Sequence, residues 1–176
     1  MENKPSNLTF SLGYAAIIGL GLIVFSLIIY LVDANKQSAW NYLSYLILLA
    51  GLVWTQINYR DKYFGGFIEY GKVFMIGMLT SLFISIIVAL YTFVFFKYID
   101  PGAMEEAVSI AEKKMMDKGL SDQEIEQGLA MMQKFQSVGM YTFFALIGNF
   151  IFGVIFSLIT SIFIKKENQG FDQPQA

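Results

Sequence analysis

The chain has 176 residues, of which 56% are hydrophobic and 15% charged, whereas soluble domains are about 45–50% apolar and about 25% charged. This composition is typical of a membrane protein. A net charge of −2 without a basic stripe excludes a nucleic-acid-binding protein. The absence of Cys and His excludes disulfides, thiol or imidazole catalysis and the usual zinc site, so we expect no cofactor and no metal.

Four stretches without any charged residue predict four membrane spans. A helix needs about 20 apolar residues to cross the hydrocarbon core, and a charge at the centre of a span costs about 2.5–3.5 kcal/mol. Each of the four stretches is long enough. The predicted spans are 10–32, 39–59, 73–96 and 141–164.

The basic residues next to these spans predict the orientation. Four spans place both termini on the same side, and cytoplasmic ends of spans carry an excess of Lys and Arg. Five cations on the side of the termini adjoin a span, whereas the other side has three, two of them beside an Asp. We therefore expect both termini in the cytoplasm. The five cations are Arg60, Lys62, Lys72, Lys165 and Lys166, and the other three are Lys36, Lys97 and Lys134.

Small residues recur every four positions in the third and fourth spans. Helices in lipid associate where small side chains allow the backbones to approach, and residues four apart share one face of a helix. The sequence therefore predicts two helix-packing faces. They comprise Gly77, Ser81, Ser85 and Ala89 in the third span, and Asn149, Gly153, Ser157 and Ser161 in the fourth.

Asn149 is the most polar residue deep in a predicted span, and its amide needs a partner there. The favoured interpretation is an interhelical hydrogen bond, and the alternative is a place along a solute path. Gln56 lies near the cytoplasmic end of its span, where we expect water to reach it. No charged side chain lies in mid-span, which argues against a proton relay or an ion-coupled transporter.

Residues 100–136 have the pattern of an amphipathic helical hairpin. Asp100-Pro101 predicts a helix start, Gly119 a helix stop, and Ser121 with Glu124 a capping box that opens a second helix. The apolar stripes of the two helices pack on each other or on the protein's own helix ends, lie on the bilayer surface, or form a partner face. That candidate face comprises Met104, Val108, Met115, Ile125, Leu129 and Met132.

The segment between the second and third spans is aromatic and flanked by cations. Gly65-Gly66-Phe67 leads to Tyr70-Gly71-Lys72-Val73-Phe74, and the third span ends in Phe96-Lys97-Tyr98-Ile99-Asp100-Pro101. With the four-span plan and the acidic hairpin, this pattern resembles a family of small bacterial membrane proteins classed only as a domain of unknown function. The resemblance covers the chain from the first span to Lys166. It implies a bacterial inner-membrane location and no particular chemistry.

These features predict an all-α fold, with one membrane domain over residues 1–176. It is an integral membrane four-helix bundle with an extracytoplasmic amphipathic helical hairpin between spans 3 and 4. We expect a non-enzymatic subunit or accessory of a membrane complex, whose partners are the lipid bilayer and other membrane proteins or a second copy. The alternative is a small oligomeric channel or carrier lined by Asn149, Ser157 and Ser161. A lipid-modifying enzyme that uses Glu69 or Asp100 is a third and weaker interpretation.

Overall fold

The computed structural model describes residues 6–32 and 38–166, and these residues form six α-helices. The predicted all-α fold is therefore confirmed for the described part of the chain. A π-helical turn, Phe95–Ile99, prolongs the third helix. The helices are α1 (Asn7–Leu31), α2 (Ser38–Phe64), α3 (Tyr70–Val94), α4 (Ala103–Asp117), α5 (Asp122–Phe135) and α6 (Val138–Ile164).

Three of these helices are long and apolar enough to cross a membrane. They are α1, α3 together with its π-helical turn (Tyr70–Ile99), and α6, and they contain the predicted spans 73–96 and 141–164 and nearly all of 10–32. The remaining predicted span, 39–59, lies in α2, which has 27 residues but a more polar composition. Lys36, one of the cations behind the predicted orientation, lies outside the described residues.

The described residues fall into two compact units, one drawn from 1–87 and 148–176 and the other from 88–147. In the first unit, α1 packs along α2. Aromatic rings fill one end of this contact, where the Phe10 and Tyr59 ring centroids lie 5.0 Å apart and the Tyr59 hydroxyl donates a 2.6 Å hydrogen bond to Asn7 Oδ1. The buried core around them also includes Ile68, Val73, Ile76 and Ile164.

The short segment between α2 and α3 is fastened to the end of α6. Gly65 and Gly66 adopt φ values of 58° and 90°, a left-handed conformation that residues with a Cβ rarely adopt. Beyond this turn, Ile68 and Lys166 form an antiparallel bridge. The Ile68 N–H donates to the Lys166 carbonyl at 2.8 Å, and the Lys166 N–H donates to the Ile68 carbonyl at 3.0 Å.

In the second unit, α4 and α5 pack on each other, and we call them the α4–α5 pair. Gly119 has φ 74° and its N–H donates to the Met116 carbonyl, so the predicted glycine stop is confirmed. The capping box of Ser121 and Glu124 is also confirmed. The backbone N–H and hydroxyl of Ser121 both donate to the Glu124 carboxylate, which lowers the pKa of that group.

The predicted start of α4 is wrong by two residues. The N-cap is Gly102 rather than Asp100, and the helix begins at Ala103 instead of Pro101. The physical reason is the π-helical turn, because the Asp100 N–H donates to the Phe95 carbonyl at 2.9 Å and thereby closes the preceding helix. Asp100 is thus the C-cap of that turn, and Pro101 and Gly102 form the link to α4.

Candidate functional site

The main polar feature of the apolar helices is a buried cluster around the Gln56 side chain of α2. Gln56 is fully buried, with 0% of its surface exposed. Its amide nitrogen donates to the hydroxyl oxygens of Ser157 at 3.1 Å and Ser161 at 3.2 Å, both in α6. The Thr160 hydroxyl donates to Gln56 Oε1 at 2.6 Å. We call these four residues the Gln56 cluster.

The hydrogen bonds of the Gln56 cluster close on the protein itself. The amide nitrogen of Gln56 donates to the two serine oxygens and, at 3.4 Å, to the Val73 carbonyl of α3, and each serine hydroxyl donates to a backbone carbonyl. The Ser157 hydroxyl donates to the Phe74 carbonyl of α3 at 3.2 Å, and the Ser161 hydroxyl donates to the Ser157 carbonyl at 2.6 Å. A buried network in which every polar group is paired stabilises one packing arrangement, whereas an unpaired amide would be costly.

The Gln56 cluster lies against Gly77 of α3, a residue without a side chain. A Cβ added to Gly77 would overlap the Ser157 hydroxyl oxygen and the Gln56 amide nitrogen, and would lie 2.9 Å from Ser157 Cβ. Gly153 of α6 also approaches α3 closely, since an added Cβ there would lie 2.5 Å from the Ser81 side chain. Glycine therefore allows α2, α3 and α6 to meet closely enough for the amide and hydroxyl groups to bond.

Most of the small residues predicted to pack helices are buried. Gly77 and Ser157 meet directly, as do Ser81 and Gly153. Ala89 lies in the second unit and is 3% exposed. Asn149 is half-buried in α6. The buried members of the two predicted faces are Gly77, Ser81, Ser85, Ala89, Gly153, Ser157 and Ser161.

The burial of Gln56 differs from the prediction made from the sequence. We expected Gln56 near the end of a span and open to water, but the fully buried side chain contradicts this. The reason is that α3 and α6 pack around this side chain, where its amide nitrogen bonds to Ser157 and Ser161 and lies close to Gly77. A usable signal was present in α6, where Ser157, Thr160 and Ser161 place three hydroxyls on one face of an apolar helix.

The candidate partner face of the α4–α5 pair is only partly exposed. Ile125 is buried at 8% exposure, and a Cβ at Gly128 would lie 3.1 Å from Met115 Cε, so Met115 packs inside the pair. Met104, Val108, Leu129 and Met132 are half-buried. The more exposed apolar residues of the pair are Ile110, Met116, Leu120, Met131 and Phe135.

An open groove of about 480 Å³ runs over the α4–α5 pair. Its apolar lining includes Met116, Ile125 and Leu129, and its acidic lining consists of Glu112, Asp122 and Glu126. None of these three carboxylates forms an ion pair with another described residue. Among residues 6–32 and 38–166, no group of three potential ligands could hold a metal ion.

Comparison with known proteins identifies the family. The family model described as "Protein of unknown function (DUF4199)" matches residues 13–166. The chain belongs to the DUF4199 family. The predicted resemblance to a family of unknown function is thereby confirmed, and the match includes the whole Gln56 cluster and the whole α4–α5 pair of this DUF4199 member. No curated protein and no solved structure matches the chain.

Proposed function

We propose that this DUF4199 member is a four-span protein of a bacterial inner membrane, with both termini in the cytoplasm, that acts as a non-enzymatic subunit of a membrane complex. The observation that carries the subunit role is the groove of the α4–α5 pair, where apolar side chains, among them the exposed Met116, lie beside three carboxylates that form no ion pair with a described residue. In this arrangement the α4–α5 pair lies outside the cytoplasm and binds a partner protein.

The Gln56 cluster supports α2 as the fourth span. Polar side chains lower the hydropathy of α2, but hydrogen bonding within the bundle removes much of the cost of burying them. Gln56 is paired with α6, and the Thr55 hydroxyl donates to the Gly51 carbonyl at 2.8 Å. Residues 38–59 contain no charged side chain. Helix α2 is also longer than about 20 residues, the length that a span needs.

The same contacts favour a subunit over a channel. Ser157 and Ser161, two of the three residues that would line a solute path, are 0% exposed and accept hydrogen bonds from Gln56. Their hydroxyl groups therefore hold helices together instead of facing an aqueous path.

The charge of the α4–α5 pair specifies the chemistry of the partner. Residues 100–136 contain eight acidic residues and four lysines, so the same face of a second copy would be repelled. The groove instead suits a segment that carries Lys or Arg beside apolar side chains. We therefore propose a different membrane protein with such a segment as the occupant.

The double variant Glu112→Lys/Glu126→Lys tests this role. We expect the wild-type chain, extracted from native membranes in a mild detergent, to migrate as an assembly larger than one chain in its micelle. The variant should migrate at the size of the single chain, because the two lysines that replace groove carboxylates repel the partner's cations. Native gel electrophoresis combined with light scattering measures both sizes.

The matched control is Glu105→Lys/Asp117→Lys, which changes the charge equally at two exposed positions outside the groove. This control should retain the assembly. A wild-type chain that is monodisperse at the mass of one copy in several mild detergents would contradict the subunit role. An assembly that survives in the groove variant would contradict the groove as its binding surface.

A further inference from the structure

We infer that the cytoplasmic end of this protein binds the phosphate headgroups of anionic phospholipids, at a surface built jointly by the segment after α2 and the residues after α6. This inference rests on the proposed membrane insertion. The surface comprises Arg60, Lys62, Lys72, Lys165 and Lys166, and we call it the basic end.

Backbone pairing brings the two parts of the basic end together. Lys165 and Lys166 are about a hundred residues from Arg60 and Lys62 in sequence, but the Ile68–Lys166 bridge fixes them against the 65–69 segment. Arg60 Nη1 donates to the Ile164 carbonyl at 3.4 Å. One cationic surface therefore arises from two distant parts of the chain.

The cations outnumber the acids at this surface. Among the residues that the structure describes, its two carboxylates are Asp61 and Glu69, and they pair with Arg60 at 2.7 Å and Lys72 at 3.1 Å respectively. The hydrogen bond from Arg60 lowers the pKa of Asp61, and the charge of Lys166 acts in the same direction. Among the described residues, five cations against two acids give this surface a net positive charge that attracts an anionic ligand.

Apolar and aromatic groups beside the cations point to a lipid as the source of the phosphate. Lys166 Nζ lies 5.2 Å from the Phe67 ring centroid, and Lys72 Nζ lies 5.5 Å from that of Phe64. Phe67 is 41% exposed and Phe163, two residues before Lys165, is 81% exposed. Exposed aromatic and apolar groups directly next to lysines suit the boundary between acyl chains and headgroups.

The test uses the full chain purified in a neutral detergent and titrated with phosphatidylglycerol, phosphatidylcholine or inorganic phosphate. Binding is read by native mass spectrometry and by the shift in the thermal unfolding midpoint. We expect phosphatidylglycerol to bind and to raise the midpoint. For Lys165→Gln/Lys166→Gln its affinity should fall about 30-fold, since each lysine near an anionic lipid contributes about 1 kcal/mol.

Two further variants complete the design. Lys62→Gln/Lys72→Gln should weaken phosphatidylglycerol binding as strongly, because both pairs of lysines belong to one surface. Lys113→Gln/Lys114→Gln removes the same charge from α4 and should leave the affinity unchanged. Equal binding of phosphatidylcholine, equal stabilisation by inorganic phosphate, or an equal loss in the α4 control would each overturn the inference.

A separate measurement distinguishes failure of this inference from failure of the proposed function. Membranes that contain the chain are washed at alkaline pH, which strips peripheral proteins. If the chain leaves the membrane, the proposed insertion fails. If the chain stays in the membrane and shows no preference for phosphatidylglycerol over phosphatidylcholine, only the lipid inference fails.

Discussion

Replacing Gly77 with alanine is expected to lower the free energy of unfolding by about 2 kcal/mol, the typical cost of forcing a methyl group into a packed core. The new Cβ would overlap groups of Ser157 and Gln56. Neither side chain can move aside without breaking hydrogen bonds of the Gln56 cluster. Unfolding of the purified chain in mixed micelles, followed by helical circular dichroism, measures the loss.

Gly148→Ala provides the matched control, because Gly148 lies within the predicted span of α6 and nothing stands within 4 Å of its added Cβ. Alanine there should be neutral or should stabilise the helix by at most about 1 kcal/mol through its higher helix propensity. If the two variants unfold alike, the close approach of α3 to α2 and α6 is contradicted.

Replacing Gln56 with leucine is also expected to destabilise the bundle, by about 2 kcal/mol. Hydrogen bonds between helices in membranes contribute about 0.6–2 kcal/mol each, and the Gln56 amide makes three with side chains of α6. The loss is limited because Ser157 and Ser161 keep their carbonyl acceptors. The sign of this change in stability is decisive, since hydropathy alone predicts that leucine stabilises a membrane span. The same mixed-micelle unfolding experiment measures it.

Asn58→Leu is the control for this second prediction. The Asn58 amide donates only along its own helix, to the Trp54 carbonyl at 2.8 Å, so its loss should cost less than about 0.5 kcal/mol. A double-mutant cycle of Gln56→Leu with Thr160→Val should show that the two losses are not additive, because the residues share one bond. Additive losses, or a Gln56→Leu variant as stable as the wild type, would count against the cluster.

Local signals in the sequence predicted much of the fold. The absence of charge marked the apolar stretches of α1, α3 and α6, because a charge in the hydrocarbon core is costly wherever it stands. Gly119, Ser121 and Glu124 predicted the end of α4 and the start of α5, since capping depends on residues within one turn. The start of α4 was misplaced because the Asp100 N–H caps the π-helical turn, and no residue pattern predicted that turn.

The Gln56 cluster could not be predicted with the same rules. Its contacts join α2 to α6 over more than a hundred residues, and spacing within a single helix carries no information on which helix lies opposite. The spacing of small residues predicted Gly77, Ser157 and Ser161 as packing positions. It could not show that they surround a glutamine, because that glutamine belongs to another helix.

The basic end illustrates the same limit. Its cations were visible in the sequence as two separate groups that set the orientation. The Ile68–Lys166 bridge and the hydrogen bond from Arg60 to the Ile164 carbonyl bring the two groups to one surface, and pairings of isolated residues leave no periodic pattern.

The central claim is that α2 crosses the membrane, and cysteine labelling tests it most directly because the natural chain contains no Cys. Lys36→Cys, Lys62→Cys and Lys118→Cys place one thiol before α2, one after its predicted span and one between α4 and α5. In spheroplasts treated with a membrane-impermeant maleimide, we expect Lys36→Cys and Lys118→Cys to react at once. Lys62→Cys should react only after the inner membrane is permeabilised. Labelling of Lys36→Cys and Lys62→Cys from the same side would contradict the four-span account.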